Sequence, residues 1–289
     1  MSFSVGVVID PSEAKSQYST SQGRPLGTRA ETPDGRVFRW ALNGGTALGM
    51  GIPVQAAAIY ELDKDTAYTA PINDTEDIST TWRSFTVESE TATGEIAANE
   101  YADGFVRVAY STASNAMGQM VVIKSNDASA TSSTDALGST MTITIADNDA
   151  LTASLDTGAV VTLHHNPYWK TVVCAGGAAE ANLIVGVPIR PVSASYYYWA
   201  QTWGPCVVIQ DGVLVAGQRV QISTDTDEAV SVLNFRTSTN STFLAGDTDA
   251  DAGIGFIHAV AAVKQTIGYA MGSPGQDQKA GLIFLTLSP

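Results

Sequence analysis

Apolar residues along this chain fall in short runs, mostly alternating with polar ones and bounded by Gly, Pro, Asn and Asp. Alternation sends successive side chains to opposite faces, the pattern of a half-buried strand. It predicts strands over residues 36–41, 105–108, 119–123, 140–145, 159–163, 196–203, 219–222 and 281–287. Asp34-Gly35, Asp103-Gly104 and Asp211-Gly212 carry the chemistry of tight turns, and the last predicts a two-residue hairpin joining 206–210 to 213–216. Helical periodicity is scarce. Residues 148–155 could make two turns behind Asn148 as N-cap, and residues 52–62 are ambiguous between helix and strand. The pattern therefore predicts an all-β chain: one or two β-sandwich or barrel-like units with an extended N-terminal arm and very little helix. No repeat of fixed period argues for a solenoid or propeller.

Residues 1–32 are rich in Ser, Gln, Gly, Arg and Thr and have few apolar anchors after Ile9, which predicts an arm rather than a packed element. The expected division is an arm over 1–50 with a strand at 36–41, a first β domain over 51–180 and a second over 181–289. The boundary falls in the Gly- and Ala-rich stretch at 175–180. Polar stretches at 125–139 and 237–253 read as surface loops.

Composition narrows the class. At 44% hydrophobic the 289 residues can bury a core, yet only 15% are charged, against about 25% in ordinary soluble domains. A polar but thinly charged surface suits a protein packed against neighbours, and it fits a generic β-rich extracellular module equally well. The net charge of −14 argues against a nucleic-acid partner, because phosphate binding needs clustered Lys and Arg. That charge sits on the body. Residues 1–40 hold five basic and four acidic groups, and residues 41–289 hold ten and twenty-five. Cys174 and Cys206 lie in apolar stretches and read as buried free thiols, with a disulfide between them left open. The N-terminus lacks the pattern of a signal peptide, and no run of about 18 apolar residues exists to span a membrane. Synthesis and folding in a cytoplasm are expected.

Candidate chemistry is sparse. His164 and His165 are adjacent, so on a regular strand they point to opposite faces and cannot easily share a metal; they read as structural or surface residues, as does His258. The acidic run Asp247, Asp249, Asp251 resembles the opening of a calcium loop, but Ala252 and His258 stand where an EF-hand needs Gly and Glu. A solvated loop is the better reading, with a loose cation site left open. Nucleophile-elbow, phosphate-loop and zinc-protease motifs are lacking, and the sequons at Asn73 and Asn240 matter only with a secretory route. No catalytic, cofactor or metal residues are assigned. The most distinctive segment is aromatic: Tyr196, Tyr197, Tyr198, Trp199 and Trp203 place rings on both faces of one strand. That points to a core strand or a subunit interface, ahead of a sugar-stacking platform.

Several pieces occur together in order: residues 32–48 with Val37, Phe38, Arg39 and Trp40, then Glu100 to Phe105, the strand at 159–163 running into His164 to Tyr168, Gly186 to Pro188, Tyr196 to Pro205, and Ile267 to Ala270. In this set the chain resembles the decoration (cement) or minor capsid proteins of environmental and marine tailed bacteriophages. The resemblance spans roughly residues 30 to 289 and brings no catalytic residues. It implies a virion structural protein on the capsid surface, made in the host cytoplasm, with the major capsid protein as partner. It also implies a homo-oligomer, a trimer above other states, that reinforces contacts between capsomers. A cement protein binds only the assembled shell and so shifts the equilibrium away from disruption by packaged DNA. The alternative is a glycan- or receptor-binding head protein using the Tyr196–Trp203 aromatics and the acidic loops. The near-neutral leader suggests that residues 1–50 act as a clamp, with Val37 to Trp40 added as a strand to a capsid or sister-subunit sheet edge.

Overall fold

The computed structural model describes residues 6–18, 21–57, 68–71, 77–88, 96–113, 115–128, 140–174, 182–223, 226–233, 265–272 and 279–289. The described residues form two β-sheets, each in its own compact unit, so the all-β, sandwich-like class expected from alternation is the class observed. Among them the one helical turn is a 3-10 turn at Glu13–Lys15.

The chain starts in unit 1, crosses to unit 2 and returns. Unit 1 takes β1 (Val7–Val8), β2 (Gln17–Tyr18), β3 (Arg29–Glu31), β4 (Val37–Leu42) and β5 (Val54–Gln55). Unit 2 takes β6 (Tyr68–Pro71), β7 (Ser84–Glu88), β8 (Phe105–Tyr110), β9 (Met120–Asn126), β10 (Thr140–Ile145) and β11 (Val160–His164). Unit 1 resumes with β12 (Val172–Val173), β13 (Ile184–Pro188), β14 (Tyr197–Ile209), β15 (Arg219–Ile222), β16 (Val230–Val232), β17 (Thr266–Gly272) and β18 (Ala280–Thr286).

This corrects the expected division. The first 55 residues are no free arm before two consecutive domains: most of them belong to unit 1, residues 22–27 belong to unit 2, and Ala56–Trp169 is an insertion within unit 1. The reason is strand pairing. β4 is flanked by β3 and β14, β2 pairs with β14, and Ile9, Ala14 and Ala30 are all buried. The insertion leaves and returns beside one short pairing, Gln55 opposite Val172 and Val54 opposite Val173.

The main path of the unit 1 sheet runs β1-β3-β4-β14-β18-β17-β15-β16, with β14 as its long central strand. Cys206, Val208, Val220, Ile222, Ile267, Ala270, Ile283 and Leu285 point to one side and pack as a core. Gln201 is fully buried, and its Nε2 donates to the carbonyls of Trp203 and Pro205 at 3.1 and 2.8 Å. It thereby holds the strand where Gly204 turns to φ +89°, a backbone state that favours glycine.

Two local expectations give way to pairing and side-chain bonds. The hairpin at Asp211-Gly212 does not form, although Gly212 has the expected positive φ of 75°. β18 takes one edge of β14 as far as Ile209, Ile209 N donates to Gly51 O at 3.0 Å on the other, and β15 pairs with β16 and β17. Residues 148–155 make no helix. The Gln119 side-chain oxygen accepts from Thr152 N and Ala153 N at 2.6 and 2.9 Å, and Asp149 Oδ2 accepts from Val122 N at 2.8 Å. These bonds fix the segment as turns, satisfying groups a helix would have paired internally. Of residues 52–62, the described part contains the strand β5.

The unit 2 sheet runs β6-β11-β8-β9-β10-β7 around Phe85, Val106, Val121, Ile123, Ile143, Ile145, Val161 and Leu163. Its outward positions are hydroxyls on β10 and β7, with Thr142 opposite Thr86 and Thr144 opposite Ser84, and a mixture on β8 and β9, where Arg107 lies opposite Met120 and Phe105 opposite Val122. Gly104 sits where a Cβ would lie 2.3 Å from the His164 carbonyl oxygen, so the Asp103-Gly104 turn needs glycine for clearance.

Candidate interaction surface

The predicted interface residues divide sharply by exposure. Val37, Phe38, Trp40, Tyr198 and Trp199 are all at most 3% exposed within the single chain. Trp40 stacks on Tyr197 with ring planes 7° apart and meets Trp199 edge-on at 4.8 Å, while Tyr198 Oη and Thr171 Oγ1 lie 2.9 Å apart. Arg39 is half-buried and donates from Nη2 to Ser288 Oγ at 2.9 Å. These side chains form a core built from both faces of β14 and β4, which is the core alternative for the aromatic run. The strand-addition clamp is corrected: β4 has neighbours on both edges and no free backbone row to offer. Of the nine candidates, Arg39, Tyr196, Tyr197 and Trp203 keep partial exposure.

Trp203 belongs to a different kind of surface. Beyond Gln201 the strand β14 alternates cleanly, sending Cys206 and Val208 into the core and Pro205 and Val207 outward. Pro205 lies opposite Phe284 and Val207 opposite Leu282 on β18; Phe284 in turn lies opposite Tyr269 on β17. Trp203 meets Phe284 edge-on at 5.5 Å. Val207, Leu282, Tyr269 and Met271 are 49%, 39%, 42% and 46% exposed. The outward face of three adjacent strands is therefore apolar as well as the inward one.

No charged residue occurs in β14, β18 or β17, which together hold 27 residues. At the 15% charged fraction of the whole chain, about four would be expected. Arg219, opposite Tyr269, and Lys279, one residue before β18, border the face and are both cations. Asp211, past the far end of β14, accepts a hydrogen bond from Ser223 Oγ. The sequence carries a signal for this surface that alternation alone does not use. Residues 280–285 read Ala-Gly-Leu-Ile-Phe-Leu without a polar break, the pattern of a strand covered on both faces.

The remaining candidates settle into structural positions. Both cysteines are buried free thiols, as expected, and burial pushes the Cys206 thiol up to about 12. In unit 2, His165 is sandwiched between Tyr101 and Trp169, with ring centroids 4.2 and 4.1 Å away, and its Nε2 lies 3.7 Å from Glu100 Oε1. Burial holds His164 below the usual histidine range, with Arg107 and His165 adding to the effect. Asp103 accepts from Leu26 N at 2.8 Å and from Gln22 Nε2, which ties residues 22–27 into unit 2. Asp156 accepts from Ser111 Oγ and from Thr112 Oγ1 at 2.7 Å, and these bonds hold its carboxyl down at about 2.

Among the described residues no group of three or more His, Cys, Asp or Glu is placed to hold a metal, and no helix is long and apolar enough to cross a membrane. The acidic run Asp247 to Asp251, His258, the two sequons, the loop core at 129–139 and the stretch 175–180 lie outside the described residues. Comparison with protein-family models, curated proteins and solved structures finds no match to this chain.

Proposed function

We propose that this chain is a virion structural protein that binds the outside of a tailed-phage capsid and stabilises contacts between capsomers. It works as a homo-oligomer whose partner is the major capsid protein, and it makes and breaks no covalent bonds. The observation that supports an oligomeric, protein-binding role is the uncharged outer face of β14, β18 and β17. A contiguous apolar patch without charge is characteristic of surfaces that bind another protein. The capsid enters through the resemblance carried by residues 32–48, 100–105 and 196–205. The thin charge of the whole chain points the same way, because a surface of small polar residues sheds its water at less cost than one of carboxylates and ammoniums. Linked copies that touch several capsomers at once would add weak contacts into slow dissociation.

Of the aromatics that the glycan-binding alternative would use, Tyr198 and Trp199 are in the core and Tyr196, Tyr197 and Trp203 keep partial exposure. The test is co-sedimentation of the purified protein with filled heads that lack it, followed by heating or osmotic shock. Saturable binding and heads that release DNA at a higher temperature are expected. Heads that neither bind nor gain resistance, together with saturable binding on a glycan array, would overturn the reading in favour of the alternative.

A further inference from the structure

We infer that the outer face of β14, β18 and β17 is a homotypic interface, covered by the same face of a second copy across a twofold axis. The inference rests on the reading of this face as a protein-binding surface, and it names the occupant.

Charge selects the partner. A chain of net charge −14 repels its own kind over most of its surface, and only a contact that brings no carboxylates together escapes that repulsion. The three strands contribute none, and the bordering Arg219 and Lys279 are cations that ease the approach of a second acidic body. A partner recognised through charge would instead need ions on this face to pair with.

Satisfaction of polar groups leads to the same choice. The outward side chains Trp203, Pro205, Val207, Tyr269, Met271, Leu282 and Phe284 carry only an indole N–H and a phenol hydroxyl. Two such faces can close on each other and leave those groups at the rim, stranding no buried charge. Sheets pack face to face about 10 Å apart with strands within about 30° of each other, and a twofold axis lets one self-complementary face meet itself in that way.

Size is adequate. The exposed parts of these side chains amount to roughly 400 Å² per copy, so pairing removes about 800 Å² of apolar surface before the rim is counted. The rim, with Arg219, Gln218 and Lys279 exposed, brings the total toward the ~1,200 Å² at which stable interfaces begin.

The test needs no capsid and no variant at first. The purified chain is sedimented across a concentration series, and at each concentration methionine oxidation by hydrogen peroxide is followed by peptide mass. Met271 on the face and Met120 on the outer side of unit 2 are 46% and 63% exposed in one copy and would oxidise at comparable rates there. The expected result is a dimer at high concentration with Met271 protected at least tenfold relative to Met120, and loss of that protection as dilution yields monomer. Leu282→Lys should then give a monomer with an unchanged circular dichroism spectrum, while Met120→Lys stays dimeric.

A monomer at every concentration overturns the inference, and so does an oligomer, trimeric or otherwise, in which Met271 oxidises as fast as Met120. Should Leu282→Lys fail to fold, the oxidation ratio of the unmodified chain still decides. A monomer whose Met271 is protected only on capsids overturns the second copy as occupant and leaves capsid binding standing. A dimer that ignores capsids does the reverse.

Discussion

The two sheets of this chain use the same alternation for opposite ends. In unit 2 the inward positions are Val, Ile and Phe, while the outward ones mix Thr, Ser, Lys and Arg with apolar residues such as Met120 and Val122, so charge and hydroxyls interrupt the outer face. In unit 1 the strands β14, β18 and β17 are apolar inward and outward, with no charge on any of them. Burial of the inner face accounts for folding in both units. Among the described residues the outward apolar side chains of unit 1 lie outside its core cluster.

The largest effect should come from the segment where unit 1 buries both faces. Trp199→Ala empties a site 1% exposed between Trp40 and the neighbouring strands, and a loss of about 3–5 kcal/mol is expected in urea unfolding. A loss below about 1 kcal/mol would mean that the aromatic run is not core, and the contrast with the outward face would fail.

A smaller effect sharpens the contrast from the other side. Replacing Thr86 and Thr142, which face each other on unit 2, by Val gives that sheet an outward chemistry closer to that of unit 1. Stability should move by no more than about 0.5 kcal/mol per site, because these positions lie outside the core, whereas solubility should fall. A double variant as soluble as the parent at all concentrations would show that apolar outward positions alone do not make a surface adhesive.

The smallest effect is electrostatic and belongs to unit 2. Hydrogen bonds from Ser111 and Thr112 hold Asp156 at about 2, below its usual 3.8, so the ionised form favours the folded state. The stabilisation is complete above the usual value and disappears as pH falls toward about 2. Asp156→Asn should therefore flatten the fall of the urea midpoint across that window, and an unchanged slope would assign the acid sensitivity elsewhere.

Much of this architecture was legible beforehand. Residues 140–145 and 219–222 are bounded as observed and β4, β8, β9, β11 and β18 to within a few residues, whereas β14 reads as two segments and β7, β13 and β17 give no strand in the alternation. β1, β2, β5 and β12 are two residues long and hold no periodic signal. The false hairpin at Asp211-Gly212 shows what local chemistry misses: the turn residues are right, but one edge of the strand is claimed by β18, some seventy residues later, and the other meets Gly51 at Ile209. The false division has the same origin, since nothing near Val37 announces that its partner is Trp203. For the candidate surface, the aromatic run drew attention to β14, yet rings alone do not say which ones their own chain covers. Trp203 was singled out; Leu282, Phe284, Tyr269 and Met271 were not, although the unbroken apolar run at 280–285 held the clue.

The insertion of unit 2 into unit 1 has a consequence for how the chain leaves the ribosome. β4 is synthesised roughly 150 residues before its neighbour β14, and at about 5–20 residues per second it waits on the order of 10–30 s for that strand. The inserted unit has nearly all of its chain in hand by then and is free to fold first. The strand Val37–Leu42, with its Phe and Trp, meanwhile stands as a sticky half-sheet on every nascent polypeptide. When many ribosomes read one message side by side, that delay sets a premium on chaperones that shelter β strands during translation.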